Sequence, residues 1–380
     1  MTIQAGSAGG SAPPRRILAL DGLRGCACVM VVLSHYFGEV RHGASAMMFG
    51  WVGVDIFFVL SGFLIGKLIL EREGHANFFQ VFYIRRFFRI IPPYVLTVLV
   101  VGLLVAVLPQ AWTDAGERFP LWSYLTFVQA WYMITTGSIG AHWLAPMWTL
   151  AVEEHFYLLA PAAIVFAPRR WLTPALIAVG CGAIAFRAMV YFGGVGNEMA
   201  ALALLPSRAD VIVWGMLAAV AYRNTAIDWS RYTLRLRVAP IAALLAALAL
   251  RALSQPLFGV LGPTVVGLGC AAFILCLVLE TPEAQRFKSP VLRFFGDNAY
   301  CLYLTHLTVL GLMHGLLLGA VPDLATPAQW LVTCAALPVC VLVGWAMTQA
   351  IEAPLTRYGG SWRWSAAKRP SPARSIGAAA

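Results

Sequence analysis

Ten stretches of this 380-residue chain are long and apolar enough to cross a hydrocarbon layer, which removes most folds from consideration. A bilayer core of about 30 Å needs about 20 residues of helix. On that ruler the spans fall at 17–37, 50–70, 92–109, 147–167, 171–192, 207–222, 238–254, 258–280, 297–317 and 325–349. Backbone N–H and C=O groups in lipid must be satisfied internally, so runs of this length are helices. The expected fold class is an all-α integral membrane protein, a bundle of about ten transmembrane helices. A weaker segment, 121–134, carries Trp122, Tyr124, Trp131 and Tyr132. That aromatic content suits an interfacial or re-entrant piece. The polar opening runs into the first span without a signal-peptide cleavage pattern. Residues 1–16 are therefore expected as a flexible cytoplasmic tail, 17–358 as one membrane domain, and 359–380 as a disordered cytoplasmic tail.

Charged residues make up only 12% of the chain and hydrophobic ones 60%. A soluble domain carries about 25% charged residues, so disorder, a coiled coil and an ordinary cytosolic enzyme are excluded. The net charge of +10 raises the question of nucleic acid, and the placement of the basic residues answers it. Twenty of the 27 lie in segments that alternate to one side of the spans, including Arg85, Arg86, Arg89, Arg169, Arg170 and Arg223. Only Arg41, Arg118 and Arg251 lie on the other. By the positive-inside rule both termini are expected in the cytoplasm, in a multi-pass inner-membrane protein with no nucleic-acid partner. Six of the eight cysteines fall in later apolar segments, where a thiol behaves as a small hydrophobe. Cys26-x-Cys28 lacks a second ligand pair, so neither a disulfide framework nor a metal site is expected.

An ionisable group inside the bilayer costs about 2.5–3.5 kcal/mol on insertion scales and marks a functional candidate. In the first span Arg24 and His35 are eleven residues apart, which leaves them about 20° apart on one helical face and about 16 Å apart along the axis. Asp21 lies within a turn of Arg24. The same stripe is also met by a surface Arg–Asp pair and a buried, satisfied histidine. The second span holds Asp55, Ser61 and Gly62, and Gly62-x-x-x-Gly66 reads first as close helix packing. The stretch FYIRRFFRIIPPY sets Arg85, Arg86 and Arg89 on a short amphipathic piece. Such a piece is either a solvated positive-inside run or an anion clamp, since arginine presents a fork to phosphates. Further along come Glu153, Glu154 and His155, then Arg208 and Asp210, and His306 in mid-span.

In this order the pieces resemble the membrane acyltransferase 3 family. The resemblance rests on LDGLRG with the Arg24-x10-His35 spacing, FFVLSGFLI, RRFFRIIPPY, WTLAVEEHFYLLAP, SRAD, NAYCLYLTH and IEAPLTRY, and covers about 17–358. It implies a membrane-embedded O-acyltransferase that moves an acyl group, usually acetyl, from acyl-CoA to a hydroxyl of a glycan, glycolipid or other small acceptor. Arg24 and His35 would be its signature pair, with the inner arginines, Glu153 and His306 in support. Acetyl-CoA is a substrate here, and no permanently bound cofactor is implied. Thr149, His155 and Thr305 stand where the family more often has Ser, Gln and Trp, which leaves the acceptor open.

On this reading Arg85, Arg86 and Arg89, with Ser61, hold the donor, whose pantetheine arm threads toward His35. His35 acts either as general base for the acceptor hydroxyl or as a transient acyl carrier. Asp21 partners Arg24, and Glu153 orients or charge-balances the histidine. Asp210, Arg208 and His306 remain further candidates. The rival class is a multi-span transporter or exporter of a glycan or lipid-linked intermediate. Such folds commonly contain two related halves, and the first two spans and the Arg-rich segment have no counterpart after residue 200.

Overall fold

The computed structural model describes residues 16–113 and 116–366. The expected N-terminal tail, apart from Arg16, and the part of the expected C-terminal tail beyond 366 lie outside the described residues. Among the described residues ten helices are long and apolar enough to cross a membrane. They are α1 (Leu18–Phe37), α2 (Gly50–Arg72), α3 (Phe78–Val107), α4 (Met147–Phe166), α5 (Arg169–Gly193), α6 (Leu205–Arg223), α7 (Thr233–Leu253), α8 (Gln255–Val278), α9 (Pro290–Leu318) and α10 (Pro327–Met347). The connections that alternate to one end carry most of the arginines, and that end is called the basic end below. The weak aromatic segment forms two short helices, Leu121–Leu125 and Gln129–Thr136, at the far end.

Two spans start earlier than the sequence suggests. Pro92-Pro93 reads as a helix start, because proline is tolerated there and disfavoured inside. Instead α3 begins fourteen residues before Pro92, at Phe78, and carries both prolines in its interior. The piece with Arg85, Arg86 and Arg89 is thus the first half of a spanning helix. Likewise α9 begins at Pro290, so the segment 290–296 continues the span. Beyond α10 the chain makes a π-turn over Thr348–Glu352 and a last helix, Ala353–Gly360.

The centre of the bundle is α1, α2, α6, α8 and α9, with α7 leaning on α8 and burying only Ala247. Lipid supplies no hydrophobic drive between helices, so close packing and small residues hold them together. A Cβ on Gly296 of α9 would lie 1.9 Å from the Asp21 carbonyl oxygen of α1. A Cβ on Gly62 of α2 would lie 1.9 Å from the Ile212 carbonyl oxygen of α6. The Gly62-x-x-x-Gly66 stripe is therefore a packing face, as its spacing suggests. Side-chain hydrogen bonds, two of them to backbone carbonyls, also tie the α1–α9 seam beyond its glycines. The Tyr36 hydroxyl donates to the His306 carbonyl at 2.9 Å, and the Cys28 thiol approaches the Ala299 carbonyl at 3.7 Å.

Described residues beyond Tyr358 pack back onto the start of α3. Asn77 donates to the Arg363 carbonyl at 3.0 Å and accepts from the Ser365 amide at 2.8 Å. Trp364 stacks on Phe78. Residues 361–366, read from the sequence as tail, are held against the α2–α3 connection.

Gly296→Val should force α1 and α9 apart and lower the melting midpoint of the detergent-solubilised protein, with about 1–3 kcal/mol lost to overpacking. Gly182→Ala, at a mid-helix position with nothing within 4 Å of the new Cβ, should hold or slightly raise that midpoint, since alanine is the better helix former.

Candidate active site

A cavity of about 630 Å³ opens at the basic end, lined in part by Asp21, Arg24, Arg86, Arg89, Glu352 and Arg357. A smaller one of about 120 Å³ continues inward, bounded among others by Phe57, Ser61, Thr149, Glu153, Tyr157 and Tyr303. The two share Arg24, Leu64, Arg86, Arg89 and Tyr300 as walls, so they form one path from the basic end toward the far end. Four helices supply five of its charged and polar wall residues. The first span contributes Arg24, and α3 contributes Arg86 and Arg89. Ser61 comes from α2 and Glu153 from α4.

The mouth is basic, with carboxylates set among the arginines. One oxygen of Asp21 accepts from Arg16 Nε at 2.5 Å, and the other lies 3.6 Å from Arg24 Nη1. Arg16 also bonds Asp297 on α9. Glu352, presented by the π-turn, accepts from the Cys301 thiol at 3.3 Å. Arg86 lies over the Tyr157 ring, 4.9 Å from its centroid. Guanidinium groups this close to an open cavity present several N–H forks to an anion.

Deeper in, the Ser61 hydroxyl donates to Glu153 Oε1 at 2.5 Å and accepts from the Tyr157 hydroxyl at 3.0 Å. Glu153 therefore faces Ser61, Arg24 and Arg86 in the cavity wall. The sequence reading set it beside His35, and the structure pairs it elsewhere. At the inner limit Tyr303 shares a 2.8 Å hydrogen bond with Thr149 and packs against His306, with ring centroids 5.6 Å apart.

The partner of His35 is His306. Its Nε2 lies 2.9 Å from His35 Nδ1, across 271 residues of chain, and the ring centroids are 4.9 Å apart. The proton positions follow from the acceptors. His306 Nδ1 lies 2.7 Å from the Tyr303 carbonyl, which can only accept, so Nδ1 carries a proton. A neutral His306 then accepts at Nε2, and His35 must donate from Nδ1. That leaves the lone pair of neutral His35 on Nε2, the nitrogen facing Glu39, whose Oε2 is 3.4 Å away. The His35 side chain is 18% exposed, whereas His306 is fully buried. The accessible histidine holds the free basic nitrogen, and the buried one fixes its tautomer.

Besides His35 and His306, which line neither cavity, three further candidates lie outside the path. Arg85 points to the C-terminal segment, donating to the Trp362 carbonyl at 2.6 Å and lying over Trp364. Its neighbours Arg86 and Arg89 line the cavity; Arg86 is rotated by about 100° from Arg85, whereas Arg89 is only about 40° away, and it is the bonds to the C-terminal segment that hold Arg85 aside. Asp210 is fully buried in a knot with Arg187 of α5. The Arg187 fork reaches Asp210 Oδ1 at 2.8 Å and Oδ2 at 2.7 Å, its other N–H groups reach Thr264, Ser207 and Val260, and Thr264 donates back to Asp210. Every donor of Arg187 is thereby used. Arg208 sits 3.5 Å from Asp55, donates to the Leu202 carbonyl and covers Trp148. The sequence reading passed over Arg187 as a partner for Asp210. Two unpaired opposite charges in consecutive spans were the available signal.

A family model described as an acyltransferase domain matches residues 17–348. Among curated proteins, the chain is 28% identical over 326 residues to the peptidoglycan O-acetyltransferase OatA of Listeria monocytogenes, covering 77% of this chain and 49% of that protein. It is 26% identical over 392 residues to the acyltransferase MdmB of Streptomyces mycarofaciens, covering 95% of this chain and 97% of that protein. It is also 23% identical over 327 residues to a Staphylococcus aureus protein named as an O-acetyltransferase, covering 79% of this chain and 52% of the relative. The chain thus spans about half the length of the first and last of these. No solved structure matches it.

Asp210→Asn should cost about 3–5 kcal/mol, because it leaves the buried Arg187 charge unpaired. The expected result is a lower melting midpoint of the solubilised protein. Whatever ligand affinity the folded fraction has should be unchanged, since neither residue lines the cavities.

Proposed function

This chain belongs to the acyltransferase 3 family, and from that premise we propose that it is a membrane-embedded O-acyltransferase, moving an acyl group, most simply acetyl, from acyl-CoA to a hydroxyl acceptor. The basic end faces the cytoplasm, where the excess of arginine belongs, and both termini lie on that side. The enzyme is a multi-pass protein of the cytoplasmic membrane. Acyl-CoA enters from the basic end, its phosphates against Arg86 and Arg89 and its pantetheine arm in the narrower cavity. Arg24 completes the basic wall with Asp21 as partner. The acceptor, a hydroxyl of a glycan or glycolipid, approaches from the far end.

The observation that carries this reading is the path itself. Its basic mouth suits a polyanion, its inner part is a narrow and largely apolar slot, and its inner wall, Tyr303, touches the histidine pair. A long, polar-headed thioester with a slender arm matches that profile. An exporter of glycans would need a passage wide enough for sugar rings.

Chemically, the acceptor hydroxyl gives its proton to His35 Nε2 as its oxygen attacks the thioester carbonyl carbon. The C–S bond then breaks, and the departing thiolate takes up the proton to leave as CoA thiol. General-base assistance of this kind contributes about 10²–10⁴-fold. His306 holds the tautomer that makes Nε2 the base. Ser61, Glu153 and Tyr157 line the slot through which the arm passes.

Purified protein with acetyl-CoA and candidate carbohydrate acceptors tests the reading. Arg86→Ala with Arg89→Ala should raise the KM for acetyl-CoA at least about tenfold, as charge-assisted contacts to phosphate are lost. His35→Ala should lower kcat about 100-fold or more with KM for acetyl-CoA little changed. Wild-type kinetics in both variants would reduce the arginines to topology markers and His35 to a packing residue.

A further inference from the structure

The tautomer chain ends at a group that sequence reading did not single out. Neutral His35 presents a lone pair at Nε2, and 3.4 Å away lies Glu39 Oε2, which has lone pairs of its own. Two acceptors do not face one another across such a gap without a proton or a hydroxyl between them. Glu39 is also held in place. The Ser34 hydroxyl, fully buried, donates to Glu39 Oε1 at 2.9 Å, which turns Oε2 toward the ring. The Glu39 side chain is 39% exposed, so the gap can be reached from the far end. On α1 the carboxylate faces Ser34 and His35. From the segment before α4, His142 lies within electrostatic reach, and from α9 Tyr303 does so, with His306 directly behind His35.

Resting on the acyltransferase reading above, we propose that Glu39 is the positioning residue of the reaction: it aims His35 Nε2 at the acceptor and balances the imidazolium charge that forms when His35 takes the acceptor's proton. The sequence of protons is closed. The acceptor O–H proton passes to Nε2, the Glu39 carboxylate faces the resulting N–H, and the same proton leaves with the CoA thiolate. No charge is left behind between turnovers. Burial raises the Glu39 carboxyl above its usual range while the Ser34 hydrogen bond opposes that shift, so the carboxylate depends on its local partners. An acceptor hydroxyl is then received beside the Oε2–Nε2 pair, within hydrogen-bond reach of Nε2.

The test uses full-length protein in nanodiscs. Glu39→Gln keeps the shape and removes the charge. It should lower kcat about tenfold or more while leaving the KM for acetyl-CoA unchanged, being a fraction of the general-base contribution. It should also move the acid limb of kcat to lower pH, because a neighbouring anion favours the protonated imidazole and its loss disfavours it. Glu39→Asp should restore the position of that limb. A fall in kcat with an unmoved limb would mark a merely structural role and overturn the proposal, as would wild-type kcat in Glu39→Gln. If the wild-type protein transfers no acyl group, the acyltransferase reading fails by itself, and histidine 15N spectra still decide the geometry. The proposal requires the proton of neutral His35 on Nδ1 and a change in the Nε2 resonance on Glu39→Gln. An Nε2 resonance that ignores the substitution overturns it.

Discussion

Everything proposed for this protein depends on how closely the first and ninth spans approach. Their backbones meet where Gly296 leaves room for the Asp21 carbonyl, at a distance no side chain would allow. Only at that separation does a histidine near the far end of α1 share a hydrogen bond with one in α9. The seam orders the acid–base chemistry as well as the packing. Tyr36 of α1 binds the His306 carbonyl, and the Tyr303 carbonyl fixes the His306 ring. A chain of three acceptors and donors then decides which nitrogen of His35 is basic. In lipid, where an unsatisfied polar group is expensive, such a chain is both structural and chemical.

The scarce intramembrane charges separate into two kinds by what they touch. Arg187 and Asp210 satisfy one another, with Thr264 and two backbone carbonyls closing the knot. They join α5, α6 and α8 and border no cavity. Arg24, Arg86, Arg89, Ser61 and Glu153 do the opposite, lining a continuous path while keeping part of their hydrogen-bonding capacity turned into it. A buried ion pair is poor proof of function. The cations around the open space outnumber the carboxylates set among them, and an anionic substrate would complete the set.

Much of this was legible beforehand because the bilayer imposes its own ruler. Hydropathy placed all ten spans, and the misplaced starts come from reading Pro92-Pro93 and the short, Arg293-bearing 290–296 segment as boundaries where the helices continue. The candidate residues were legible one by one, since charge in a span is rare. Their grouping was not. Period 3.6 relates Arg24 to His35 on one helix, but nothing in a single sequence says that His306, 271 residues away, meets His35, or that Glu153 turns to Ser61. Arg85 and Arg86 look equivalent in the sequence, and 100° of rotation sends one to the C-terminal segment and the other to the cavity. Glu39 escaped notice because it lies just outside the span, where a carboxylate is unremarkable.

An experimental structure of the protein with a non-transferable thioether analogue of acetyl-CoA tests the central relationship most directly. The phosphates should contact Arg86 and Arg89, the arm should run past Ser61 and Glu153, and the acyl carbon should end in van der Waals contact with Tyr303 and the His35–His306 pair. An analogue bound elsewhere, or one whose acyl end stops short of the histidines on the basic side of Glu153, would contradict it.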